Sequence, residues 1–102
     1  MPAYMIFLRE DAVIGPAAMH TYSAMNRQNS GGFVEKYGLK PLAIYGATEA
    51  LEGEAPDGIV LLEFPTMQDA RARYGSPEYQ VALVHRKIGA NYRALVVEGM
   101  SS

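Results

Sequence analysis

His85 and Arg86 stand side by side in a stretch that reads as helix, joining a group that titrates near neutral pH to a permanent cation. The histidine could accept or donate a proton there, and the arginine could hold a substrate carboxylate. The competing reading is structural: Arg86 bonds to an acid such as Glu78 or Glu63 at the helix rim and fixes the helix on its sheet. Glu63 ends a strongly apolar run. Facing inward, its carboxyl would be pushed up by burial and could act as a general acid or base. Paired with Arg86 or Arg93 it would stay ionised, and this ion pair is the favoured reading. His85, Arg86 and Glu63 are thus the candidate catalytic residues.

Seven tyrosines against three phenylalanines and no tryptophan is an unusual aromatic balance. Each buried tyrosine brings an apolar ring and a hydroxyl that needs a partner. Tyr22, Tyr45 and Tyr79, with His20, are the candidate lining of a substrate cavity between sheet and helices, although any one ring could simply fill core. Metal chemistry has little to work with. Two histidines, no cysteine and no His-x-His or His-x-x-Glu spacing give no ligand set, and His85 alone has no specific support as a haem ligand. Gly31-Gly32 and the Gly53 to Gly58 stretch lack the strand-to-helix setting and the lysine of a phosphate loop. No serine-nucleophile motif is present. No metal and no cofactor is expected.

The elements that would position these residues are legible from composition and spacing. Ala3 to Arg9 is aromatic and β-branched and reads as a strand. Pro16 opens a helix that carries apolar residues through Met25. Asn26 to Gly32 is expected to end it, with one further helical turn at Phe33 to Tyr37 closed by Gly38. Strands follow at Pro41 to Gly46 and Ile59 to Phe64, with an acidic turn region and a possible short strand through Leu51 between them. Pro65 stops the third strand. Thr66 caps a helix over Met67 to Tyr74, Gly75 breaks it, and Ser76-Pro77-Glu78 restarts it as far as about Gly89. Tyr92 to Glu98 is the last strand, and Gly99 to Ser102 a frayed tail.

The order β-α-β-β-α-β predicts an α+β, ferredoxin-like domain: one four-stranded antiparallel sheet with both helices on one face. At 102 residues it is a single domain spanning 1–102. Its strands, however, are apolar on both faces, as in Met5-Ile6-Phe7-Leu8 and Ile59-Val60-Leu61-Leu62. Helices cover only one face, so the other is expected to pack on a second copy of the same sheet.

Several motifs carry a family resemblance. Ala50-Leu51-Glu52-Gly53, Glu63-Phe64-Pro65, Tyr74-Gly75-Ser76-Pro77-Glu78-Tyr79 and Val97-Glu98-Gly99, after the opening Met1-Pro2-Ala3-Tyr4, resemble the family called domain of unknown function 1330. That family sits in the dimeric α/β-barrel superfamily, and the likeness covers nearly the whole chain. Met25 to Tyr37 departs from it, being longer or differently arranged. The resemblance implies a ferredoxin-like protomer that forms a homodimer through its sheet faces. It implies no single reaction, since the superfamily holds cofactor-independent monooxygenases, haem-degrading enzymes and isomerases.

Composition narrows the partners. Nine basic and eleven acidic residues give a net charge of −2 with no basic face, which argues against nucleic acid. The apolar start, Met1 to Arg9, is too short for a secretory signal, and no stretch approaches a membrane span. No cysteine is present, in keeping with a cytoplasmic location. The resulting expectation is a small-molecule-binding protein, or a cofactor-independent enzyme performing proton transfer or oxygenation on a small acidic or phenolic compound. The alternative is a non-catalytic dimeric structural or interaction module.

Overall fold

The computed structural model describes residues 1–100. The chain runs β1 (Ala3–Arg9), α1 (Pro16–Tyr37), β2 (Lys40–Ile44), β3 (Gly58–Phe64), α2 (Met67–Tyr74), α3 (Pro77–Gly89) and β4 (Tyr92–Glu98). The strands form one sheet in the order β2-β3-β1-β4, every pair antiparallel. This is the ferredoxin-like α+β arrangement, with the second helical segment broken into α2 and α3.

Strand alternation decides which side chains face the helices. Ala3, Met5 and Phe7 of β1 are buried, and their register partners Phe64, Leu62 and Val60 on β3 share that face. On β4 the same row is completed by Ala94 and Val96. The opposite face carries Tyr4, Ile6 and Leu8 beside Ile59, Leu61 and Glu63, with Leu95 and Val97 on β4. Leu95 and Val97 are about half exposed, at 46% and 50%, because no helix covers this side.

α1 departs from the expected break. It runs unbroken for 22 residues through Gly31 and Gly32, and ends at Gly38, which adopts φ 68° and donates its N–H to the Val34 carbonyl. Local propensity predicts a turn there, but tertiary packing overrides it. Phe33, 4% exposed, is buried just past the two glycines and anchors the distal half of the helix. Ser30 satisfies its hydroxyl within the helix by donating to the Arg27 carbonyl at 2.8 Å. The short strand imagined through Leu51 does not form. That side chain is 87% exposed in an irregular connection over residues 45–57. Of the expected frayed tail, Gly99 donates its N–H to the Pro2 carbonyl at 2.7 Å, and Ser101 and Ser102 lie outside the described residues.

α3 could have turned either of two apolar stripes inward. Tyr79, Ala82, Leu83, Arg86 and Gly89 are the buried ones, while Val81, Val84 and Ile88 are more than half exposed. Close approach to α1 selects this face: a Cβ on Gly89 would lie 2.6 Å from Cγ of Met19. The turn between α2 and α3 fixes the same orientation. The Ser76 hydroxyl accepts from the Tyr79 N–H at 3.2 Å and donates to the Arg73 carbonyl at 2.7 Å. One buried side chain therefore ties the end of α2 to the start of α3.

Ser76→Ala removes the N-cap and leaves the buried Tyr79 N–H without a partner. The expected cost is about 1–2 kcal/mol, read as a drop of several degrees in a thermal melt. An unchanged melt would show that this hinge is held by something other than the serine.

Candidate functional site

A cavity of about 340 Å³ lies between α1 and the helix-facing side of the sheet. Phe7 of β1 with Val60 and Leu62 of β3 form its apolar floor. α1 supplies Tyr22, Asn26 and Phe33, and α2 reaches in with Arg73. Tyr45, just past β2, and Tyr92, at the start of β4, complete the enclosure. Arg27 of α1 lies on the outer part of the lining, and neither aspartate nor glutamate contributes to it.

Two hydroxyl pairs organise these rings. Behind the cavity, Arg86 Nη1 donates to the Tyr79 hydroxyl at 3.0 Å, and that oxygen lies 2.9 Å from the Tyr22 hydroxyl. A guanidinium only donates, so the Tyr79 oxygen accepts there and its own proton is available to Tyr22. Near the β2 exit, the Tyr45 and Tyr92 hydroxyls meet at 2.5 Å, and the Arg9 guanidinium sits 4.6 Å from the Tyr45 ring centre. Asp57 holds Arg9 in place at 2.7 Å.

Tyr45 adopts the left-handed backbone conformation, φ 51°, the sole non-glycine residue to do so among the described residues. Its ring fits because the neighbouring position is Gly58, where a Cβ would stand 2.7 Å from Tyr45 Cδ1. Partial burial of Tyr45, which stays 38% exposed, pushes its hydroxyl above the ordinary range, and the bond to Tyr92 adds to this. Burial does the same at Tyr79, reinforced by Tyr22 and opposed by Arg86. Both hydroxyls are therefore held neutral.

Two buried arginines stand at the site, Arg86 singled out from the sequence and Arg73 not. Arg73 is 4% exposed and Arg86 5% exposed. Among the described residues the ion pairs are Arg9 with Asp57 and Arg93 with Glu10, so neither buried guanidinium has a carboxylate partner. Aromatic faces take part of that role: Arg73 lies 4.1 Å from the Tyr79 ring centre and 4.7 Å from that of Phe33. Arg86 lies 4.9 Å from Tyr92 and 5.3 Å from Phe7. Burial pulls the Arg73 guanidinium below its ordinary value, with Tyr79 and Tyr22 working against that. It remains a cation, since arginine starts so high.

Not every residue singled out from sequence arrives here. Tyr22 and Tyr45 line the cavity, and Tyr79 and Arg86 stand directly behind them. His85 is half-buried on α3 and does not reach the lining. His20 is exposed on α1. Glu63 lies on the opposite face of the sheet, because Leu62 and Phe64 on either side of it face the helices. Its expected ion pair does not form: Arg86 turns to Tyr79, and Arg93 pairs with Glu10. Arg73, Asn26 and Tyr92 were not signalled by sequence. A basic residue in the last turn of a helix is common for the sake of the helix dipole, so Arg73 carried no mark of burial. Among the described residues, no group of three histidine, aspartate or glutamate side chains could hold a metal. Among the described residues, no helix is long and apolar enough to cross a membrane.

The family model for the domain of unknown function DUF1330 matches residues 2–100. The chain belongs to the DUF1330 family. No curated protein matches it. Among solved structures, this DUF1330 chain is similar to a protein of unknown function from Rhodopseudomonas palustris, with 22% identity, a TM-score of 0.69, and coverage of 99% of this chain and 84% of that one. A dimeric ferredoxin-like protein of unknown function from Jannaschia sp. CCS1 aligns at 15% identity and TM-score 0.70, over 97% of this chain and 100% of that one. SnoaB, a cofactor-independent oxygenase from Streptomyces nogalater, aligns at 7% identity and TM-score 0.55, over 99% and 94%. At these identities the likeness shows the shared ferredoxin-like fold.

The neutral state of Tyr45 and Tyr79 has a consequence at high pH. Their folded values lie above the ordinary 10.0 of an unfolded tyrosine. The stability they contribute is thus complete below pH 10 and is lost as pH rises from there toward the folded values. An ultraviolet titration of tyrosinate should show these two rings ionising last, together with loss of the folded circular-dichroism signal. Reversible ionisation of all seven tyrosines near pH 10 in a still-folded protein would contradict the burial assigned to them.

Proposed function

We propose that this DUF1330 protein binds a small organic molecule in the cavity under α1, as a homodimer. The cavity itself carries the reading. Its 340 Å³ is on the scale of a ligand site, and apolar rings with a few converging polar groups are the usual composition of one. The Tyr22 hydroxyl, backed by Tyr79 and Arg86, is placed to donate to a ligand oxygen and to support negative charge developing on it. That suits a proton transfer or an oxygenation that passes through an enolate or phenolate. The SnoaB likeness agrees with such chemistry at the level of fold alone. In this reading Tyr22 touches the ligand, while Tyr79 and Arg86 act through it as positioning residues. His85 has no part in the chemistry.

Phenol is the simplest probe. Amide chemical shifts of Tyr22, Asn26 and Tyr92 should move on its addition, since those residues surround the cavity. Shifts confined to other surfaces, or none, would overturn the proposal.

The homodimer rests on the uncovered sheet face. Ile6, Leu61, Leu95 and Val97 make an apolar surface of a kind that soluble monomers seldom leave open. Packing it on its own copy is the economical solution, and the Jannaschia protein of the same fold is described as dimeric. Sedimentation should give about twice the 11.1 kDa chain mass, and Leu95→Lys, midway along the edge strand β4 on this face, should give the monomer with its circular dichroism intact. A wild-type protein that sediments as an 11.1 kDa monomer would contradict this assembly.

A further inference from the structure

We infer that the occupant of the cavity is an anion, a small flat organic carboxylate held against Arg73. This rests on the cavity being a ligand site and adds the chemical class of the ligand. Arg73 lines the wall, and its Nε and Nη1 atoms are buried with no hydrogen-bond partner. Native proteins seldom bury a donor without an acceptor, and more seldom a charged one. Neighbouring rings offer attraction through their faces, but Nε and Nη1 find no acceptor among them, and a carboxylate is the group whose two oxygens fit such a fork.

The sign of the missing partner follows from arginine chemistry. Asn26 Oδ1, also lining the cavity, is likewise buried and unpartnered. An amide can turn, so Asn26 accepts either a donor or an acceptor. Arginine cannot: it has five donors, no acceptor and a fixed charge. Whatever completes Arg73 must accept hydrogen bonds, and neutralises it only if negative.

The surroundings reinforce this. The lining adds Arg27 and includes no acid, and Arg86 and Arg9 stand close behind the tyrosine rings. A chain whose net charge is −2 thus concentrates cations around one small cavity. The floor of Phe7, Val60 and Leu62 and the walls of Tyr22 and Phe33 ask for an apolar, planar body behind the charged group. Inorganic phosphate would leave that floor uncovered and would bring more charge than one buried guanidinium balances.

Benzoate and its neutral isostere benzamide separate charge from shape, and both are compared with phenol by calorimetry and amide shifts. Benzoate should bind at the cavity at least about tenfold tighter than benzamide, the scale of one charge-assisted hydrogen bond. Arg73→Met should bring benzoate to the level of benzamide, and Arg73→Lys should retain part of the preference. The wild-type comparison stands whether or not the variants fold. Phenol and benzamide binding as tightly as benzoate would overturn the anion inference and leave the ligand site standing. Tighter binding of inorganic phosphate than of benzoate would overturn the organic carboxylate. No binding by any of the three aromatic probes would overturn both the inference and the site.

Discussion

The interior of this protein is arranged around a single aromatic ring. Tyr79 has no exposed surface, receives Arg86 on its hydroxyl at 3.0 Å, and carries the Arg73 guanidinium 4.1 Å from its ring centre. Tyr22, Phe7 and Tyr74 lean on it at ring-centre distances of 6.2, 6.4 and 5.3 Å. Two buried cations cannot share a core with apolar neighbours unless something beside them offers negative charge density, and here ring faces and phenolic oxygens do so. The break between α2 and α3 serves this arrangement. Ser76 binds the carbonyl of Arg73 and the N–H of Tyr79, so the cation and the ring beneath it are set by adjacent turns of backbone.

Much of the architecture follows from signals a few residues long. Pro16, Thr66 and Ser76-Pro77 start their helices where chemistry says they should, and Gly38 ends α1 in the left-handed conformation expected of it. Strands β3 and β4 were recognisable because apolar runs rich in β-branched residues stop at Pro65 and Gly99. What escaped was anything decided at a distance. Gly31 and Gly32 look like a helix end, yet burial of Phe33 carries the helix through them. Val81, Val84 and Ile88 form as good a stripe as Tyr79, Ala82 and Leu83, and the contact of Gly89 with Met19 and the turn held by Ser76 choose between them.

The candidate site divides the same way. Tyr22, Tyr45 and Tyr79 were legible because an excess of tyrosine over other aromatics asks for buried hydroxyl partners. His85 and Glu63 drew attention by their chemistry, but strand parity and helix phase turn both away from the cavity. Arg73 shows the limit most clearly. Nothing local distinguishes it from the exposed Arg71 two residues earlier, and its burial depends on α1 lying over the end of α2.

A buried guanidinium without a counter-ion is a burden on the folded state, and proteins retain such a group where binding requires it. The most direct measurement of this is the thermal stability of Arg73→Met in the absence of any added ligand, since methionine keeps an apolar stem against Phe33 and Tyr79. If Arg73 is held for a ligand, the variant melts at or above the wild-type temperature, because a buried charge without a counter-ion has been removed. A melting temperature lower by several degrees would show instead that the guanidinium holds the fold together, and would contradict the account.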